Sequence, residues 1–188
     1  KFYFVSSLLL TNRLDLLFLI SPAVLYSFLS YGKEYSLFKR IVFLFIGFSP
    51  IIAWEVFSII YYGFPFPNTA YAKLNTGIPK LEMMIQGIRY YVRSLADPIV
   101  LFLIITAIFS VFLVKGKRET MQSLLMIGVL ISLAYVLYVG GDFMLNRFFI
   151  PSCWISGMVL LKGESLKEMQ PKPIFIIFFW LLLIAQIN

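Results

Sequence analysis

Two runs, IVFLFIGFSPIIAWEVFSIIYY at 41–62 and PIVLFLIITAIFSVFLV at 98–114, carry a single charged side chain between them, Glu55. Each approaches or exceeds the roughly 20 residues that take a helix across about 30 Å of hydrocarbon. A backbone inside a bilayer must satisfy its own hydrogen bonds, which leaves helices and closed barrels. The apolar residues are continuous rather than alternating, so the runs read as helices. The rest of the chain agrees: of 188 residues 61% are hydrophobic and 13% charged, and the mean hydropathy is +0.90. That is more apolar than a water-soluble domain can bury.

The pattern predicts an all-α integral membrane bundle of about six to seven spans. They lie near 1–11 (partial), 15–31, 41–62, 98–114, 120–139, 148–161 and 174–188 (partial). The stretch 148–161, FFIPSCWISGMVLL, has 14 residues, a length at which a re-entrant segment competes with a crossing. The basic residues that follow it favour a crossing. Apolar sequence reaches both termini, and the expectation is a segment of a longer polytopic protein.

Lysine and arginine orient the bundle. The short connections 32–40 (Lys33, Lys39, Arg40), 115–119 (Lys115, Lys117, Arg118) and 162–173 (Lys162, Lys167, Lys172) are basic and alternate with the others, so they are expected to face the cytoplasm. The connections around Arg13, at 63–97 and at 140–149 then face outward. The net charge of +7 is largely this signal. No basic soluble face with stacking aromatics is present for a nucleic acid. With one cysteine, Cys153, and no histidine, disulfide, zinc and haem chemistry have almost no ligands.

The outward connections hold the unusual sequence. Residues 63–79, GFPFPNTAYAKLNTGIP, contain three prolines and two glycines and read as a shaped loop. Asn68, Thr69 and Lys73 there can hydrogen-bond a ligand. Tyr71, with Tyr61 and Tyr62 just before the loop, can stack on a sugar ring or belong to an interfacial aromatic belt. From 80 to 96, Leu81, Met84, Ile85, Ile88, Tyr91, Val92 and Leu95 recur at helical spacing opposite Glu82, Gln86, Arg89 and Arg93. The expectation is an amphipathic helix at the outer interface, either with this stripe packed on the bundle and its arginines in water or with Arg89 and Arg93 against lipid phosphates.

In GGDFMLNRF at 140–148, two glycines permit a tight turn, Asp142 projects a carboxylate and Arg147 follows five residues later. The two either pair as a helix-end cap or divide a ligand between them, the acid on sugar hydroxyls and the arginine on a phosphate. The Gly-Gly pair favours the ligand. Arg13 and Asp15, in TNRLD, belong to the same face and can form a local pair. Glu55, inside a span, is a functional candidate by its position, but a partner-satisfied structural role is the favoured reading.

The blocks RLD at 13–15, YYGFPFPNTAYAKLNTGIP at 61–79 and GGDFMLNRFFIP at 140–151 resemble those of bacterial GT-C-type membrane glycosyltransferases. The chain is most similar there to the terminal arabinofuranosyltransferase family of cell-wall synthesis and to the related flagellar motor control proteins. The resemblance implies a multi-pass plasma-membrane enzyme. Such an enzyme moves a sugar from a polyprenyl-phosphate donor to a glycan or lipid-linked acceptor at the outer face. It implies substrate-binding roles for Asp142, Arg147, Asn68, Thr69, Lys73, Tyr62, Arg13 and Asp15, and lipid-phosphate contacts for Arg89 and Arg93. In such enzymes the general base lies in a large outer loop between the first two spans, and no such loop follows Lys1. The base is therefore expected before Lys1. A divalent cation held by Asp142 and an acid outside this sequence stays open. A transporter of a lipid-linked or anionic solute and a non-catalytic envelope or motor assembly protein are the alternatives. No internal repeat supports the transporter.

Overall fold

The computed structural model describes residues 1–31, 34–66, 71, 77–97, 120–142, 144 and 146–162. Every element among them is helical: α1 Phe2–Asn12, α2 Leu16–Tyr26, α3 Leu37–Gly47, α4 Ser49–Tyr62, α5 Lys80–Leu95, α6 Thr120–Val139 and α7 Phe149–Lys162. The expected spans 98–114 and 174–188 lie outside the described residues. One helix, α6, is long and apolar enough to cross a membrane by itself, and α3 with α4 qualifies as a bent pair. Helices α1, α2 and α7 are shorter and apolar.

The expected span 41–62 is not one straight helix. It divides at Phe48 into α3 and α4, whose axes differ by 63°. Pro50, in the first turn of α4, has no N–H and fits a helix start better than a helix middle. A break within apolar surroundings exposes backbone donors, and a neighbour answers one of them: Ser7 of α1 accepts a hydrogen bond from the Ile51 N–H at 2.9 Å. Tyr3 packs so closely on Gly47 that a Cβ there would sit 2.3 Å from the Tyr3 Cβ. Helix α2 solves a similar problem alone. Pro22 cannot donate to the Phe18 carbonyl, and the Ser21 hydroxyl donates to it instead at 3.4 Å. Beyond Tyr26 the helix widens into a π-type turn, Ser27–Tyr31.

The core lies between α2 and α6, where Leu19, Ile20 and Ala23 meet Met126, Val129, Leu133 and Val136, all buried. Small residues let these backbones approach: a Cβ on Gly128 would fall 1.8 Å from the Leu19 carbonyl oxygen. Helix α7 joins through serines, with Ser152 donating to Ser132 at 3.4 Å and Ser156 donating to the Ser152 carbonyl at 2.8 Å. Long apolar side chains such as Phe38, Ile46 and Ile60 point outward instead. Apolar outside with small and hydroxylated inside is the packing expected when hydrocarbon, not water, surrounds a bundle.

Helix α5 forms where the 3.6-residue periodicity places it, but it packs through a different face. Its buried residues are Met83, Gly87, Tyr90 and Ser94, whereas Leu81, Ile85, Ile88 and Val92 are exposed. Tyr91 and Leu95 alone of the expected stripe pack against the core. Gly87 decides this, because a Cβ there would lie 2.3 Å from the Leu137 carbonyl oxygen of α6. A bare backbone face seats more closely on a helix than a face of branched side chains. The helix therefore carries three stripes: one packed on α6, one apolar and unpacked, and one polar with Glu82, Gln86, Arg89 and Arg93 exposed.

Candidate functional site

The turn between α1 and α2, the segment 140–148 and the C-terminal end of α5 meet at one end of the fold. Arg13 leaves α1 in extended conformation and forks onto Asp15, with Nε at 3.1 Å from Oδ1 and Nη2 on Oδ2. Its remaining nitrogen, Nη1, donates to the main-chain carbonyl of Arg147 at 3.3 Å, and its guanidinium lies 5.3 Å from the Phe148 ring centre. Arg147 holds Asp142 at 2.8 Å. The Asp142 side chain is 1% exposed and that of Arg147 44%, so the pair has a buried anionic end and an open cationic end.

Local backbone makes this possible. Gly140 and Gly141 have φ of 84° and 79°, a left-handed region that side chains disfavour. The Gly141 N–H closes on the Val136 carbonyl at 3.0 Å, which ends α6. Asn146, also left-handed at φ 69°, turns the chain into α7, and its amide donates to Asp97 at 3.1 Å. Tyr90 donates its hydroxyl to the Met144 carbonyl at 3.3 Å. Burial raises the Tyr90 phenol above its ordinary value and Asp142 adds to this, while main-chain bonds from Phe148 and Asn146 and the Arg147 charge pull it back. Burial also raises Tyr91, whose hydroxyl donates to the Leu133 carbonyl at 2.8 Å.

A cleft of about 620 Å³ opens beside this cluster. One wall is Leu14, Asp15, Leu17 and Phe18 from the start of α2, and the other is Ile131, Ala134, Tyr135 and Tyr138 from α6. Phe66 and Tyr71 close it from the loop side. Its surface is almost entirely apolar and aromatic, with Phe18 and Tyr135 stacked at 4.2 Å. Among the described lining residues Asp15 is the one carboxylate, and through Arg13 it is tied to the Arg147 segment. At the other edge Lys80, the first residue of α5, sits over the Tyr138 ring at 5.0 Å.

Of the residues expected from sequence, Arg13, Asp15, Asp142 and Arg147 come together here. Asn68, Thr69 and Lys73 lie outside the described residues, although Tyr71 between them reaches the cleft. Tyr62 does not line it; it ends α4 exposed, edge-on to Phe57 and Tyr61. Arg89 and Arg93 are exposed on the polar stripe of α5 and stand apart from the cluster. Among the described residues neither oxygen of Glu55 finds a hydrogen-bond partner, so the expected partner-satisfied role is not seen there. Among the described residues no group of three or more metal-ligating side chains is present. Sequence reasoning missed Phe18, Tyr135, Tyr138 and Lys80. The first three read as core residues of spans, and only the contact of α2 with α6 turns them into walls. Comparison with protein families, curated proteins and solved structures returns no match.

Proposed function

We propose that the chain belongs to a multi-pass membrane glycosyltransferase that binds a polyprenyl-phosphate-linked sugar at the outer face of the plasma membrane and passes the sugar to a cell-envelope glycan or lipid-linked acceptor. The observation that carries this reading is the cleft itself. Its apolar aromatic walls suit an isoprenoid chain, and it lies beside a cluster of carboxylates and guanidinium groups suited to sugar hydroxyls. A soluble sugar would not need the first part, and a simple lipid would not need the second. The sequence blocks that resemble GT-C enzymes contribute Arg13 and Asp15, Phe66 and Tyr71, and Asp142 and Arg147 to this one region.

In this reading Asp15 orients sugar hydroxyls and Arg13 holds it in place, while the buried Asp142 fixes the open Arg147 guanidinium beside the sugar. The stacked Phe18 and Tyr135 carry the first isoprene units. Helix α5 rests in the outer interface, with Leu81, Ile85, Ile88 and Val92 toward acyl chains and Arg89 and Arg93 toward lipid phosphates. A carrier of a lipid-linked solute is the second reading, favoured by the 63° break between α3 and α4.

The test uses inner-membrane vesicles containing the full chain and a radiolabelled polyprenyl-phosphate sugar. Label passed to an acceptor and lost with Asp142→Asn supports the transferase. Label that crosses the vesicle membrane still attached to its lipid supports the carrier. Binding of the donor that ignores both Asp15→Asn and Asp142→Asn defeats the cleft reading.

A further inference from the structure

The four charges beside the cleft, of which Asp15 lines it, leave no net charge for an anion. Arg13 is committed to Asp15 and Arg147 to Asp142. A phosphate ester entering here needs a cation that is not already balanced by a carboxylate. Lys80 meets that requirement among the described residues: it is exposed, and its ammonium makes one contact, 5.0 Å from the centre of the Tyr138 ring. Tyr138 is itself a wall of the cleft. The ring face attracts the ammonium and keeps it at the mouth without neutralising it. The first turn of α5 carries Lys80 to that place, and Gly87 on Leu137 fixes the helix there.

We propose that Lys80 is the phosphate-holding residue of the cleft, a positioning group that binds the phosphate ester of a lipid whose chain lies between α2 and α6. This rests on the cleft being a lipid site, as proposed above. The ammonium leaves the Tyr138 face, or shares it, to meet the phosphate oxygens as a charge-assisted hydrogen-bond donor. Lysine suits this role because its point charge on a flexible stem follows a head group that must also leave.

The experiment is photo-crosslinking of the full chain in lipid nanodiscs with a diazirine-bearing isoprenyl monophosphate and the matching isoprenyl alcohol. The wild-type protein is expected to label at cleft residues with both and to prefer the phosphate. Lys80→Gln is expected to reduce that preference roughly tenfold or more while leaving alcohol labelling unchanged, and Lys80→Arg to restore much of it. A Lys80→Gln protein that keeps the preference overturns the role of Lys80 and leaves the cleft reading intact. A wild-type protein that labels with neither probe overturns both. Competition separates the sources of phosphate. Unlabelled isoprenyl phosphate alone displacing the probe supports a single-chain lipid monophosphate as the ligand, whereas equal displacement by phosphatidic acid supports bilayer phospholipid held by the same ammonium.

Discussion

Arg13 donates to the main-chain carbonyl of Arg147 at 3.3 Å, so one guanidinium joins the α1–α2 turn to the segment that starts α7. The same group holds Asp15 through its other two nitrogens. Lysine has the charge but not the fork. Arg13→Lys is therefore expected to behave more like Arg13→Ala than like the wild type, each losing about 1–2 kcal/mol of stability. Thermal melting in detergent reads this, and a wild-type melting temperature for Arg13→Lys would show that charge alone suffices.

The Asp142–Arg147 pair is asymmetric, and the two truncations should differ. Arg147→Ala leaves a carboxylate that is 1% exposed without its cation, whereas Asp142→Asn leaves a guanidinium that is 44% exposed and returns to solvent. The first is expected to cost about 2 kcal/mol and the second less than about 1 kcal/mol. Equal losses in chemical denaturation would contradict the burial difference.

Gly128 and Gly87 mark the closest backbone approaches in the fold. Gly128→Ala places a methyl 1.8 Å from the Leu19 carbonyl oxygen, and Gly87→Ala one 2.3 Å from that of Leu137. Neither obstacle is a movable side chain. Both substitutions are expected to destabilise by about 1–3 kcal/mol or more. Gly128→Ala should also reduce lipid labelling in the cleft, because α2 and α6 are its two walls. Gly157, with open space around its Cβ position, is the control and should tolerate alanine.

Tyr90 and Tyr91 both have phenols raised above the ordinary value of 10.0, chiefly by burial. At a pH above 10 the unfolded chain loses these protons while the folded chain keeps them, so the unfolded state is favoured. Their contribution is complete below about pH 10 and is lost as pH rises through the raised values. Absorbance titration at alkaline pH should show tyrosines ionising late or only on unfolding, and Tyr91→Phe should remove part of that late phase. An ordinary phenolate titration with no late phase would contradict the burial of these rings.

Ser7→Ala tests the break in the apolar run. The Ile51 N–H would lose the acceptor it has at 2.9 Å, at a place where both residues are buried. A cost of about 1–3 kcal/mol is expected, with Ser7→Thr, which keeps the hydroxyl, close to the wild type.

Element positions were legible where length and periodicity act locally. The run 120–139 became α6 because twenty predominantly apolar residues without charge or proline allow an unbroken helix, and 80–95 became α5 because its pattern repeats every 3.6 residues. The break at Phe48 was less legible, since hydropathy does not change across it and Pro50 is compatible with a kink or a new start. Which face of α5 packs was not legible, because the inward stripe is the one whose small residues allow close backbone contact, and Gly87 and Ser94 carry no hydrophobic signal. At the site, Arg13 with Asp15 and Asp142 with Arg147 could be paired by nearness in sequence. The bond from Arg13 to Arg147 and the seat of Lys80 on Tyr138 depend on how α2, α5 and α6 stack, which no local pattern encodes.

The three stripes of α5 make its register more consequential than any one of its side chains. Inserting or deleting a single residue between Ile85 and Gln86 offsets the two halves of the helix by about 100°. Gly87, Tyr90 and Ser94 would no longer share a face with Met83, Ile88 and Val92 would leave the stripe of Leu81 and Ile85, and Arg89 and Arg93 that of Glu82. A gene carrying that one-codon change should be less tolerant of it than of several substitutions spread along the same helix, because three faces are written into one spacing.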